Sequence, residues 1–188
     1  MFEVEKVWVA VRREGHNCGI VTTFVRMGPG NVFVSVNELM GWLYPLVQTK
    51  WVCFTGEDTT RVGMGVIIRG LKELKIDSEI VTNGYTKEPG WFNSAALWCV
   101  DYHPEGSFNY DIMRPRDSLR LKIPEMVAPE VIPQIISTLG LCTALRVVSL
   151  STRRENKLEA TDLSVLDDPR LMVVLRQLDR VRVGLRQD

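Results

Sequence analysis

Residues 51–84 read WVCFTGEDTTRVGMGVIIRGLKELKIDSEIVTNG, and this stretch decides the fold class. It opens on a short apolar strand, Trp51–Phe54, that runs directly into Thr55-Gly56-Glu57-Asp58-Thr59-Thr60. A helix is expected over about Val62–Leu74, and a second strand over Glu79–Thr82 closes at Asn83-Gly84. Strand, helix, strand is a unit that joins parallel strands through a crossover helix. Glu57 and Asp58 fall just before the expected helix N-terminus. The helix dipole favours carboxylates there, and Asp58 fits an N-cap. The same carboxylates are placed to accept hydrogen bonds from a ligand amine or ribose.

Upstream, Val21–Met27 (VTTFVRM) is β-branched and aromatic and is expected to be a buried strand. Gly28-Pro29-Gly30-Asn31 stops it, because proline cannot donate to a ladder and glycine permits unusual dihedrals. Ser35 followed by Glu38 is a capping-box pattern, so a helix should follow to about Tyr44, before Pro45. Lys6–Val11 reads as a further strand and Arg12–Ile20 as a loop. Downstream the alternation continues less regularly. Strands are expected at Ala96–Tyr102, Ser118–Ile123 and Leu145–Leu150, and helices at Pro129–Leu139 and from Asp168 to about Leu178. The tail RVRVGLRQD is strand-like, then basic. SLRLKI alternates apolar and charged residues, the pattern of a half-exposed strand. No Pro-, Gly- or Ser-rich linker divides the chain, so a single α/β domain over residues 1–188, with a mainly parallel sheet, is expected.

Composition narrows the function classes. Lys+Arg 23 balances Asp+Glu 23, which argues against a non-specific nucleic-acid binder. No run reaches the ~18 apolar residues of a membrane span, and the first residues do not form an apolar signal core. A cytoplasmic protein is expected. The four cysteines, Cys18, Cys53, Cys99 and Cys142, lie far apart without metal-ligand spacing, and read as reduced, mostly buried thiols. His16 and His103 are the two histidines, both in expected loops. With no GxSxG elbow, a hydrolase triad is poorly supported. Gly63, Gly65 and Gly70 fall inside a helical stretch and lack phosphate-loop spacing, so they read as close helix-to-sheet packing. The stronger signal is positional. Three strands end in polar or glycine-rich segments, at Gly28–Asn31, Thr55–Thr60 and Thr82–Gly84, and parallel sheets bind ligands at that end.

Read in order, these segments resemble one family. Glu14-Gly15, Gly19 and Phe24-Val25-Arg26, then Phe54-Thr55-Gly56-Glu57-Asp58, then Val81-Thr82-Asn83-Gly84, are similar to the GEG, FVR, TGGEP and ETNG segments of 7-carboxy-7-deazaguanine synthase. That family belongs to the radical S-adenosylmethionine (SAM) superfamily. The likeness covers about half the chain, and the SLRLKI strand and the tail match weakly. It implies an incomplete β/α barrel of radical-SAM type. It further implies that Glu14 and Arg26 face a purine-like or pterin-like, carboxylate-bearing substrate, and that Thr55, Gly56, Glu57, Asp58, Thr82 and Asn83 lie where SAM is cradled. A homodimer is the assembly the resemblance implies.

The chain departs from the family at one point that decides its chemistry. The three cluster-ligating cysteines of the family fall on Gly30, Val34 and Asn37, and the threonine used with Mg²⁺ falls on Leu39. Glycine and valine cannot ligate iron, and asparagine is a poor substitute for thiolate. The expectation is therefore a pseudoenzyme without a [4Fe–4S] cluster. It would bind a pterin, 7-deazapurine or SAM-like ligand, or a protein partner, with no nucleic acid or membrane involved. The alternative is an enzyme with re-purposed polar chemistry at Glu57, Asp58 or His103 in the old pocket.

Overall fold

The computed structural model describes residues 1–12, 17, 19–30, 32–57, 59–103, 105–122, 133, 137–138, 147–151 and 180–182, without the side chains of 46–48, 122, 147–151 and 180–182. The chain runs β1 (Phe2–Val11), β2 (Val21–Met27), β3 (Val32–Val34), α1 (Val36–Leu43), β4 (Trp51–Gly56), α2 (Met64–Glu73), β5 (Asp77–Thr82), β6 (Leu97–Asp101), β7 (Ser118–Lys122), β8 (Val147–Ser151) and β9 (Arg180–Arg182). The strands form one sheet in the order β3-β1-β2-β4-β5-β6-β7-β8-β9. From β2 through β4 to β9 every neighbouring pair is parallel. β1 pairs antiparallel with both β2 and β3. The sheet is open, with β3 and β9 at its edges among the described residues. The expected α/β class and mainly parallel sheet are what the chain adopts.

Local chemistry accounts for the elements around the site. β2 has the boundaries its β-branched run gives it. α1 starts at the expected capping box: Ser35 Oγ accepts from the Glu38 backbone N–H, and Glu38 Oε2 accepts from the Ser35 N–H at 2.7 Å. The latter bond favours the ionised carboxylate and lowers the Glu38 pKa. The chain then continues as a 3-10 turn over Tyr44–Thr49, passing through Pro45 instead of stopping there. In α2 the buried residues Met64, Ile67, Ile68 and Leu71 recur at helical spacing and form one apolar stripe. They pack with Leu39 and Leu43 of α1 on Val25, Met27, Val52, Phe54, Ile80, Val100 and Leu119. This is the outer, helix-covered face of the sheet. Trp98 extends it, stacked on Trp91 and Phe92, with its indole N–H donated to the Phe92 carbonyl at 2.9 Å. Asp117, fully buried, accepts from the Trp98 backbone N–H, and Arg114 holds both its carboxylate oxygens.

Three readings need correction. SLRLKI is an interior strand: Ser118, Leu119 and Leu121 are buried and Arg120 is largely covered. Its alternation separates two covered faces, Leu119 and Leu121 lying in the helix-covered core and Arg120 against Asp101 on the other side. The helix glycines face different neighbours. A Cβ at Gly63 would meet the Phe2 ring of β1, one at Gly65 the Trp91 ring, and one at Gly70 the Met40 side chain of α1. Only the first is helix-to-sheet packing. Finally, β3 was not expected from the sequence. The expected helices over Pro129–Leu139 and from Asp168 lie largely outside the described residues.

Candidate functional site

Strand alternation gives the sheet a second, inner face, and its residues align in rows across the strands. Trp8, Phe24, Cys53 and Glu79 are successive register partners on β1, β2, β4 and β5. Toward the C-terminal ends, Arg26 pairs with Thr55, and Val81 with Cys99 and then Ser118. Asp101 pairs with Arg120 in the next row. Cys53, Val81 and Cys99 form a small apolar cluster with Phe24 packed against it.

Two pairs of opposite charges stand on this face among the described side chains, Arg12 with Glu79 and Arg120 with Asp101. Arg12, at the end of β1, places Nη2 2.6 Å from Glu79 Oε1, and Nη1 donates to Cys53 Sγ at 3.5 Å. The side chains are 6 % and 2 % exposed. Ion pairs this dry keep their charges only because each faces the other. The Cys53 thiol is pushed well up by burial, with the Glu79 carboxylate adding and Arg12 opposing. Burial likewise pushes Cys99 up to about 11. These are inert thiols, as expected for Cys53 and Cys99; Cys18 and Cys142 lie outside the described residues. One row further along, Arg120 Nε lies 2.5 Å from Asp101 Oδ1.

The residues read as a site gather at one end of three adjacent strands. Thr55, Gly56 and Glu57 end β4, between β2, which carries Arg26, and β5, which ends at Thr82 before Asn83. Arg26 is half-exposed and holds Glu5 Oε2 at 2.8 Å, where β1 shifts register between Val4 and Lys6. Gly56 has φ +94, and a Cβ there would lie 2.0 Å from the Met27 carbonyl oxygen, so only glycine lets this loop close on β2. The Glu57 N–H then donates to that same carbonyl at 2.9 Å, leaving the Glu57 side chain exposed. Thr82 is buried, and Asn83 Oδ1 accepts from the Tyr85 N–H at 3.1 Å, a turn of its own making. Glu14 and Asp58 lie outside the described residues. His103 sits beyond β6, packed at a tilt against Tyr85 with ring centroids 3.6 Å apart, and its Nδ1 accepts from the Glu105 N–H.

Gly30, Val34 and Asn37, which the resemblance sets against the cluster cysteines, lie in three different surroundings. At Gly30 a Cβ would come within 2.7 Å of the Val4 carbonyl oxygen and 2.8 Å of Glu5 Cα. Val34 is 2 % exposed, paired with Phe2 and part of the outer core. Asn37 is exposed in the first turn of α1, and Leu39 is fully buried. The segment between β2 and α1 is used to build β3 on the edge of β1. These residues do not fit an iron–sulfur cluster.

No family model matches the chain, and no curated protein does. Among solved structures, a crystal structure of QueE from Escherichia coli matches over 100 % of this chain and 94 % of its own, with TM-score 0.66 and 11 % identity. The chain has the fold of QueE. QueE is a 7-carboxy-7-deazaguanine synthase of the radical SAM superfamily, so the architecture is the one the sequence segments resemble. The QueE-like fold puts Arg26, Thr55–Glu57 and Thr82–Asn83 at the C-terminal ends of parallel strands. The inner-face charges Arg12, Glu79, Asp101 and Arg120 went unread in the sequence. Their available signal was a charge on alternate positions of otherwise apolar strands.

Proposed function

We propose that this protein is a non-radical relative of 7-carboxy-7-deazaguanine synthases that works by binding. Its ligand would be a pterin-like or 7-deazapurine compound carrying a carboxylate, with SAM as an ordinary ligand of the Thr55–Asn83 rim; a protein partner is the form the proposal takes if no small molecule binds. One observation carries the reading: Gly30 has no room for a side chain, Val34 is core and Asn37 faces solvent, so the segment that would hold a cluster is committed to another structure. The exposed Arg26–Glu5 pair supports the carboxylate. Exposed pairs are worth little, so a ligand carboxylate exchanges for Glu5 at small cost. No helix among the described residues is long and apolar enough to cross a membrane, and a cytoplasmic setting is part of the proposal.

Two measurements test it. After anaerobic reconstitution, iron and acid-labile sulfide are expected at background; stoichiometric amounts of both sink the reading. Calorimetric titration with 6-carboxy-tetrahydropterin, SAM and 7-deazaguanines should give heat with at least one. Arg26→Ala should weaken the carboxylated pterin but not its analogue lacking the carboxylate. Silence with all of them removes the small-molecule form.

A further inference from the structure

On one side, the first strand is longer than the strand that pairs with it. β2 accompanies β1 as far as Val11, but on the other side β3 pairs only with Phe2–Val4. Among the described residues no strand continues that ladder, so β1 itself is the edge of the sheet from Lys6 onward. The directions of its backbone groups follow from a few bonds. Before the register shift between Val4 and Lys6, the Glu3 carbonyl accepts from the Gly28 N–H, so Glu3 faces β2 while Phe2 and Val4 face β3. Beyond the shift, the Arg12 N–H donates to the Ile20 carbonyl and the Arg12 carbonyl accepts from the Gly19 N–H, so Arg12 faces the β2 side. Backbone groups alternate along a strand, and the register with β2 is unbroken from Lys6 to Val11. Lys6, Trp8 and Ala10 therefore face β2, and the N–H and C=O groups of Val7, Val9 and Val11 point out of the edge.

Such a row is a template for another strand unless it is short, charged, bulged or broken by proline. The far edge of the sheet is guarded in that way: β9 is 3 residues long and reads Arg-Val-Arg. The open part of β1 reads Val-Trp-Val-Ala-Val, without charge or proline. Val7 packs on the helix-covered core, and by alternation Val9 and Val11 share its face. Those two are 46 % and 54 % exposed, beside Val21, the β2 partner of Val11, at 48 %. Outward main-chain groups and uncovered apolar surface thus coincide on one short stretch.

We infer that this edge is an interface between two copies of the chain, β1 pairing antiparallel with β1 of the partner subunit across a two-fold axis at Val9. The stretch is self-complementary, as a two-fold contact requires. With the axis at Val9, Val9 meets Val9 of the partner subunit and Val7 meets Val11 of the partner subunit. All three outward residues are then bonded, each pair exchanging two N–H···O bonds. On the outer face valine meets valine. On the inner face Trp8 falls opposite Ala10 of the partner subunit, a large side chain against a small one. Lys6 falls opposite Arg12 of the partner subunit, a guanidinium whose charge is taken up by Glu79 within its own copy. The register is bounded on both sides. An axis nearer Phe2 carries the incoming strand into β3, and one nearer Val11 sets Val7 against residue 13, past the end of β1. The inference goes beyond the ligand reading and does not rest on it.

The experiment is sedimentation velocity of the full chain over a dilution series up to about 100 μM. The parent should pass from monomer to dimer as concentration rises. Val9→Lys, at an exposed position, should stay folded by circular dichroism and weaken association at least about ten-fold, because like charges then face each other on the axis. Val9→Glu should do the same by itself. An equimolar mixture of the two variants should recover the dimer, since opposite charges then meet. Val11→Lys, set against Val7 of the partner subunit, takes the place of Val9→Lys if that variant does not fold. A parent that stays monomeric throughout the series overturns the proposal, as does a dimer undisturbed in the folded variants. Failure of the mixture to recover the dimer overturns the axis at Val9. No ligand enters this readout, so its failure is distinct from failure of the ligand reading.

Discussion

On the outer face, Val52, Phe54, Ile80, Trp98, Val100 and Leu119 meet helices and aromatic rings. On the inner face of the same strands stand Cys53, Glu79, Cys99, Asp101 and Arg120. Both faces are buried, but they are held differently. Outside, removal of apolar surface from water suffices and any well-fitting hydrophobe serves. Inside, charges are tolerated only in pairs, so each position depends on the identity of another. An outer face of that kind supports a fold; an inner face of this kind specifies what can enter.

The contrast is broken most directly at Glu79. Glu79→Gln removes the carboxylate facing the buried Arg12 guanidinium and should cost about 3–5 kcal/mol, the range for opening a buried pair from one side. Trp98→Ala on the outer face should cost about the same through its cavity. Urea unfolding of the two variants makes the comparison. A loss below about 1 kcal/mol in Glu79→Gln, the range of a surface pair, would mean that the inner face is wet and the contrast wrong.

A smaller effect sharpens it at the helix entry. Ser35→Ala should cost about 1 kcal/mol by removing the cap on the Glu38 N–H. Glu38 adds a pH signature. Its folded pKa lies below the ordinary 4.5, so its contribution is present above that value and is lost as pH falls through the lower folded one. The difference in stability between the parent and Glu38→Gln should therefore shrink on acidification below about pH 4.5 and be flat above it. A difference that grows with acid would contradict the assigned bond.

The smallest effect is expected at Arg26 and Glu5, half-exposed at the rim. A double-mutant cycle should give a coupling of about 0.2–1 kcal/mol, falling with salt. A coupling as large as that of Arg12 with Glu79 would erase the distinction between an exchangeable rim pair and a sealed interior one.

Much of the fold was legible because its signals are local. The β-branched run Val21–Met27, the Ser35–Glu38 box and the Met64, Ile67, Ile68, Leu71 stripe each lie within one element. β3 was not legible, because Val32–Val34 is too short to declare itself and forms by pairing with β1, about 30 residues away in sequence. The site was legible as a position, the ends of β4 and β5, but not as partners. Arg26 meets Glu5 because β1 changes register there, and Arg12 meets Glu79 across the width of two intervening strands. SLRLKI was misread for the same reason: alternation tells that two faces differ, not that either one is wet.

By itself, then, the sequence determined a parallel α/β sheet, its capped first helix and the absence of thiols at Gly30, Val34 and Asn37, since residue type and spacing need no tertiary context. Tertiary structure alone decided that Gly30 has no space for a side chain and that Val34 is core. It also decided that Glu79, Asp101 and Arg120 are buried in pairs on the inner face. Those outcomes depend on which strand lies beside which, and strand order is set by packing over long loops rather than by any stretch of residues read alone.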